Sequence, residues 1–563
     1  MSDDRAFVQD IVANTDDDAP RLVYADWLEE TGDPARAARA EFIRVQYTLQ
    51  GLPPGDARRP QLEERERDLR AAHEAAWVAP LREVGGVRAW EFRRGFVEKA
   101  ALRAADFLGV AERLLAVAPV RELCLDFDSP RYARTARQRL ELVRRLAASP
   151  HLGRLVGLEI NTPSRRALER REVRALAESG HLCRLVSLSF RGRSVNTESL
   201  PELLRAPFLP RLAELSLDGG AQGLGEGLRE FLRSPRLEGL TTLVLTDVPL
   251  AEDDVRVLVE SPALASVTSL GLPRAGLTAG GLKALGAAAP PRLTALDLSA
   301  NGLTPAAIRA LARARLLAGV ESLNLGMNRL GDEGTEVLAR SQHVAGLASL
   351  ELSANQVGPG GAKALAASPH FARLAALTLR TNRLGDAGLA ALAGGAGLAG
   401  LKSLRASYNN VGAAGVEALA RTFPGRLVSL DLAWNPLGDG AATALAAAER
   451  MDELTALDLG YAQLGDGAAV ALAQSPHLGR LQALSLCTNR VGDVGARALA
   501  GSAHLGALTA LNLGYNALGE AGARALAESP LYRRLTALNL AGHGLPPDWL
   551  AELRRDFRGH LGG

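Results

Sequence analysis

The stretch Leu293-Thr-Ala-Leu296-Asp-Leu298-Ser-Ala-Asn301-Gly-Leu303 decides the fold. It reads LxxLxLxxNxL. It returns as Val320-Glu-Ser-Leu323-Asn-Leu325-Gly-Met-Asn328-Arg-Leu330, and its LxL core returns at Leu350, Leu377, Leu404, Leu430, Leu457, Leu484, Leu511 and Leu538. Looser copies come earlier, at Leu123, Leu158, Leu188, Leu215, Leu243 and Leu270. From Leu296 onward the step is 27 residues, except for one step of 26 between Leu404 and Leu430. A fixed period in this range predicts a solenoid of about sixteen stacked units instead of one globular core.

Within a unit, Leu296 and Leu298 alternate with polar residues, so both point to one side of a short strand. Asn301 ends the strand. It is expected to turn inward and bond backbone groups of adjacent turns that burial would otherwise leave unpaired. Ala462 and His543 replace this Asn, so the ladder is expected to break there. Gly-Asp pairs such as Gly331-Asp332, Gly385-Asp386 and Gly438-Asp439 then start an outer helix, with Asp read as its N-cap. Thr304-Pro305 can do the same, with Pro at the first helical position. Strands stack more closely than helices, at about 4.8 Å against about 9 Å, so the array is expected to bend with strands inside.

This αβ unit is similar to the ribonuclease-inhibitor-like class of leucine-rich repeats, over residues from about 120 to 545. The resemblance implies an α/β leucine-rich-repeat solenoid, a horseshoe of parallel inner strands and outer helices preceded by a small helical domain. It implies protein binding on the concave face and does not imply inhibition of a ribonuclease. A second resemblance lies near the start. Pro20-Arg-Leu-Val-Tyr-Ala-Asp-Trp-Leu-Glu-Glu-Thr-Gly-Asp33, followed by Glu41-Phe-Ile-Arg-Val-Gln46, resembles a short bacterial repeat-companion domain found ahead of such repeats. It departs by a few extra residues within Ala35 to Ala40, and it implies no activity. Asp26, Trp27 and Glu29 are a candidate recognition face there. Helix packing with a solvated acidic side is the simpler reading.

These readings divide the chain into a helical companion domain (1–50), a linker, charged helix and N-terminal cap (51–120), the repeats (121–545) and a closing cap helix (546–563). Phe7, Tyr24, Trp27 and Phe42 are expected to form one aromatic cluster. Trp90 to Val97 reads as an entry hairpin or strand.

Composition narrows the function. The net charge of +2 creates no global field for nucleic acid or membrane. Cys124, Cys183 and Cys487 are too few and too widely spaced for a disulfide framework or a CxxC metal site. No apolar run suits a signal region or a membrane span, so a cytoplasmic location is expected. There is no Walker loop, GxSxG or HExxH pattern, so neither an enzyme nor a cofactor is expected.

The outward columns of the repeat carry the site reading. The residue between the two Leu of each core reads Arg405, Asp431 and Asp458 in three successive units. The residue before the Asn position reads Tyr408, Trp434, Tyr461, Thr488 and Tyr515. Four of the twelve Tyr and Trp residues thus fall in one solvent-facing column. Exposed aromatics beside carboxylates have the chemistry of interface hot spots. Tyr408, Trp434, Tyr461, Tyr515, Asp431, Asp458 and Arg405 are therefore the candidate partner-binding residues, with the acids favouring a basic partner. The competing reading is a stacked ladder that only stiffens neighbouring strands.

Other signals weigh less. His343, His370, His477 and His504 recur in one slot and tempt a metal reading, but no Cys or acidic ligand recurs with them. The early repeats are Arg-rich, from Arg131 to Arg145 and from Arg165 to Arg174, which suits a polyanion or RNA. Glu141, Glu169 and Glu172 interleave with them, and solvated helix faces are the simpler reading. Some relatives of this repeat class activate small GTPases, but no residue here matches that activity. The expectation is a monomeric, non-catalytic scaffold for a protein partner of unnamed identity, with nucleic acid and membrane disfavoured.

Overall fold

The computed structural model describes residues 2–52, 59–127, 135–162, 167–219, 225–287, 292–542 and 560–562. The chain divides into two compact units, one of residues 1–52 and 73–301, the other of residues 53–72 and 302–563.

In the first unit, helices Ser2–Ala13, Ala19–Glu30 and Pro34–Gly51 form the N-terminal part. Asp33 caps the third helix, its side chain accepting the N–H of Ala35 at 2.8 Å. Phe7, Tyr24 and Trp27 cluster as expected, with Phe96 joining Tyr24. Phe42 does not join them. It packs on Trp77 and Phe92, at 4.6 and 5.3 Å between ring centres. Successive helical residues point about 100° apart, so Ile43 enters the first cluster while Phe42 faces the second.

The entry hairpin pairs Val87–Arg93 with Phe96–Arg103. Arg94 and Gly95 form its two-residue turn with φ of 49° and 84°, as the twist of a hairpin demands. A side chain at position 95 would strike Ile43, its Cβ coming within 2.2 Å of Cγ1. Gln46 fixes the approach by accepting from the Gly95 N–H at 2.7 Å. Beside it, Arg21 and Arg94 converge on the buried Glu98. Arg39 lies over the rings of Trp77, Phe92 and Phe96 with a buried Nη1 that has no hydrogen-bond partner among the described residues. Burial pushes its guanidinium down to about 10.

Parallel pairing then runs from the hairpin through seven of the expected cores. Leu123, Leu158, Leu188, Leu215, Leu243, Leu270 and Leu296 are direct register partners in turn. One unit departs from the strand-plus-helix expectation. After Ser187–Arg191 come only 3₁₀ turns, Leu200–Arg205 and Leu209–Arg211. Pro201, Pro207 and Pro210 remove the N–H donors a longer helix would need.

The second unit carries the other nine cores, with Leu323 to Leu538 in unbroken parallel register. Each strand has three residues and buries its central Leu. The Asn ladder forms as expected. Asn382 accepts from the backbone of Asn355 and Val357 and donates to the carbonyls of Leu352 and Leu379. Where Ala462 interrupts it, the N–H of Leu437 turns to the carbonyl of Asn435 instead, at 2.8 Å. His543 lies outside the described residues.

The Asp residues act differently from expectation. Asp332, Asp386 and Asp439 sit in the first turn of their own helices, which have Leu at the N-cap position. Their carboxylates instead receive N–H groups at the start of the next helix: Gly358, Gly412 and Gly465. Thr304 stands at an N-cap with no side-chain bond. Successive units also alternate. Gly331, Gly385 and Gly438 take a left-handed conformation in every second unit, whereas Gln356, Asn410 and Gln463 do so in the units between.

Of the expected cap helix over 546–563, residues 546–559 and 563 lie outside the described residues. His560–Gly562 forms a strand beside Ala537–Asn539, not a helix. A strand there continues the ladder, pairing backbone groups that the last repeat would otherwise leave open.

Candidate functional site

The backbone of each repeat holds one residue out of the sheet. In the regular repeats whose strand ends in Asp, Asn or Glu, that side chain accepts the N–H two positions on, forming a side-chain turn. Asp431 takes that of Ala433 at 3.0 Å, Asp458 that of Gly460 at 2.9 Å and Asn512 that of Gly514 at 3.0 Å. The next Leu points inward. The residue after the turned N–H then adopts positive φ, and the Asn after it turns into the ladder. That left-handed position is the aromatic column: Tyr408 (58°), Trp434 (57°), Tyr461 (54°) and Tyr515 (57°). Left-handed backbone is unfavourable for residues with a Cβ. At Trp434 and Tyr515 the flanking side-chain turn and inward Asn hold it in place. Tyr461 has the turn of Asp458 but Ala462 in the Asn position, and Tyr408 has the inward Asn409 but Arg405 at its strand end.

Three of the four rings meet. Tyr408 and Trp434 stack at 4.6 Å and 13°, and Trp434 and Tyr461 at 3.4 Å and 12°. All three remain exposed, at 38, 41 and 40%. Arg380 lies over Tyr408, 5.6 Å from the ring centre. Tyr515 stands apart. Thr488 occupies the intervening unit, and the Tyr515 ring covers Gly542, where a Cβ would fall 2.3 Å from its Cδ1.

The carboxylates of the site are bound internally. Asp431 and Asp458 are register partners on adjacent strands. Asp431 also accepts from the Ser407 hydroxyl at 3.1 Å. Burial pushes the Asp458 carboxyl above its usual value. The Gly460 N–H and the Ser485 hydroxyl oppose that rise, and the charge of Asp431 adds to it. Arg405 is the exposed register partner of Asp431.

Beside the stack is an open concavity of about 530 Å³, lined by Trp434 and Tyr461 together with Asn410, Gln463, Thr488 and Arg490. Sequence reasoning passed over Arg380, Gln463 and Arg490. Arg380 left a signal: its column otherwise holds small residues, Ser353, Ser407, Ala433 and Gly460.

Several arginines of the early repeats are paired with carboxylates there. Arg170, Arg174 and Arg205 surround Glu202, at 2.5, 2.7 and 2.9 Å. Arg139 binds Glu172. Arg131, Arg134, Arg165 and Arg166 lie outside the described residues. Asp26 and Glu29 both bind Arg44, and Trp27 packs on Phe7. The backbone N–H groups of His343, His370, His477 and His504 bond the Ser two residues before. No group of three or more His, Cys, Asp or Glu suited to a metal occurs among the described residues. Nor is any helix among them long and apolar enough to cross a membrane.

Five segments, 320–339, 347–366, 427–446, 454–473 and 508–527, match the Leucine Rich repeat family model. The chain carries leucine-rich repeats. Each matched segment runs from a strand through the helix that follows it, as Ser322–Asn324 and Gly331–Ala339 do in the first. Two solved structures resemble the leucine-rich repeat chain. One is an internalin from Listeria monocytogenes, 19% identical, covering 64% of this chain and 82% of that one, with a TM-score of 0.34. The other is the yeast complex of Rad7 and Elc1, 16% identical, covering 67% and 88%, with a TM-score of 0.40. At these values neither neighbour's partner transfers to this chain. No curated protein matches the sequence.

Proposed function

We propose that the leucine-rich repeats form a non-catalytic scaffold of the ribonuclease-inhibitor-like class. On this reading it binds a protein partner on its concave face as a cytoplasmic monomer. Residues 1–50 act as a companion domain, 51–120 cap the N-terminal end, 121–545 carry the repeats and 546–563 cap the C-terminal end. The observation that carries the reading is the three-ring stack of Tyr408, Trp434 and Tyr461, exposed to solvent on left-handed backbone. Aromatic side chains offer large contact area at low entropic cost, and such residues anchor interfaces. Tyr515 and Arg405 extend the contact on either side. Asp431 and Asp458 hold the loops that present it.

The test is capture from host lysate by the immobilised full chain, wild type beside the Tyr408→Ala/Trp434→Ala/Tyr461→Ala variant, with thermal melting to show that both are folded. A protein retained by the wild type and lost from the variant is the expected result. Equal capture by both would remove the stack from the site.

A further inference from the structure

The charges around the stack are unequal in availability. The carboxylates of Glu351, Asp431 and Asp458 each bind the backbone N–H two residues on. The guanidinium groups of Arg380, Arg383, Arg405 and Arg490 make no ion pair or hydrogen bond among the described residues. Arg380 and Arg405 lie at the Tyr408 end, and Arg490 lines the concavity at the Tyr461 end. No carboxylate lines that concavity.

The rings add to this bias. An aromatic ring is negative on its faces and positive at its edges. Stacking turns the faces of Trp434 towards Tyr408 and Tyr461, so the stack offers edges to an incoming group. Edges and free guanidiniums both favour an anion.

We propose that this surface takes an extended acidic segment of a protein partner, rich in Asp or Glu, with carboxylates on Arg380 or Arg405 at one end and on Arg490 at the other. The inference rests on the protein-scaffold reading above and reverses the partner charge that Asp431 and Asp458 alone suggest. The two ends are four strand spacings apart, about 20 Å, which an extended segment of about six residues spans. Single-stranded nucleic acid is the lesser fit, because it needs open ring faces for its bases, and these faces are largely covered by one another.

The experiment is fluorescence anisotropy on the full chain with three labelled probes. They are a dodecapeptide of Glu-Tyr-Glu-Glu-Pro-Glu repeated twice, the same peptide with Lys for Glu, and a uridine dodecamer. The acidic peptide is expected to bind about tenfold tighter than its Lys counterpart, an advantage that shrinks as salt is raised. Arg380→Gln/Arg405→Gln/Arg490→Gln is expected to abolish that advantage, and Arg309→Gln, on an outer helix, to leave it intact. Melting temperatures of the variants confirm folding. Equal or tighter binding of the Lys peptide, full affinity in the triple Gln variant, or displacement of the acidic peptide by lower concentrations of the uridine dodecamer would each overturn the inference. If the Lys peptide binds and Trp434→Ala abolishes it, the acidic partner is wrong and the scaffold reading stands. If no peptide of either charge binds, the inference falls; if lysate capture is also blind to the aromatic variant, the proposed site falls with it.

Discussion

Asp332 opens one outer helix and closes the start of the next: its Oδ1 accepts the N–H of Gly358 at 2.6 Å, and its Oδ2 that of Gly360 at 3.2 Å. The same relation links Asp386 to Gly412, Asp439 to Gly465, Asp466 to Gly492 and Asp493 to Gly519. The first N–H groups of a helix have no partner within it. Here the adjacent repeat supplies the acceptor, so capping couples neighbours.

Removing that acceptor should loosen the following helix, not the one that carries the Asp. Asp332→Ala is expected to cost about 1 kcal/mol, with faster amide exchange at the start of Pro359–Ala367 and little change at Gly331–Ala339. Asp332→Asn, which keeps an acceptor oxygen, should cost less. Faster exchange in Gly331–Ala339 alone would contradict the inter-repeat cap.

The Asn ladder predicts a larger loss. Asn382→Ala would leave the N–H groups of Asn355 and Val357 and the carbonyl of Leu352 without their partner. Each such buried group costs about 1–3 kcal/mol, so the urea midpoint should fall by the equivalent of about 3 kcal/mol or more. A loss below about 1 kcal/mol would show that water replaces the amide there.

Trp434 tests whether left-handed backbone and stacking oppose each other. Ala at 434 keeps the unfavourable φ and loses both ring contacts. Gly loses the contacts but removes the backbone cost. Trp434→Gly should therefore be less destabilising than Trp434→Ala by about 1 kcal/mol, read as a difference in denaturation midpoints. An Ala variant at least as stable as Gly would mean that the loop gives up its left-handed turn.

Glu202 predicts the acid limb of stability. Its bond with Arg174 is the main cause that pulls its pKa to about 2, and Arg170 adds to this against the opposing effect of burial. A depressed carboxyl stabilises the fold above its ordinary value of 4.5 and loses that contribution as pH falls towards about 2. Glu202→Gln should lower stability at pH 6 and flatten the decline between pH 4.5 and about 2. The three guanidiniums are 39 to 62% exposed, so solvent screening keeps the effect modest. Parallel acid limbs in the two proteins would refute the assignment.

Much of this was legible in the residues. The Leu spacing placed all sixteen cores, because a strand that must bury alternate positions against its neighbour leaves one register open. The inward Asn and its break at Ala462 followed from the same need to pair buried backbone. Less legible were contacts between units. Asp332 reads as a local cap, since nothing in a single repeat shows that its carboxylate reaches the next helix. Phe42 reads as a partner of Tyr24, since its side of the helix is settled only by what packs there. The aromatic column was visible, but its separation into a stack of three and an isolated Tyr515 was not.

The sequence by itself determined the repeat, its period and the residues turned inward, because periodic burial writes itself into composition. The tertiary structure decided what the outward residues do. Asp431 and Asp458 read as free charges along the chain, yet each accepts the N–H two residues on and a Ser hydroxyl from an adjacent repeat, Ser407 or Ser485. The guanidiniums of Arg380 and Arg490, by contrast, have no ion pair or hydrogen bond among the described residues. Which polar groups are left for a partner depends on distances across repeats, and those exist only once the chain has folded.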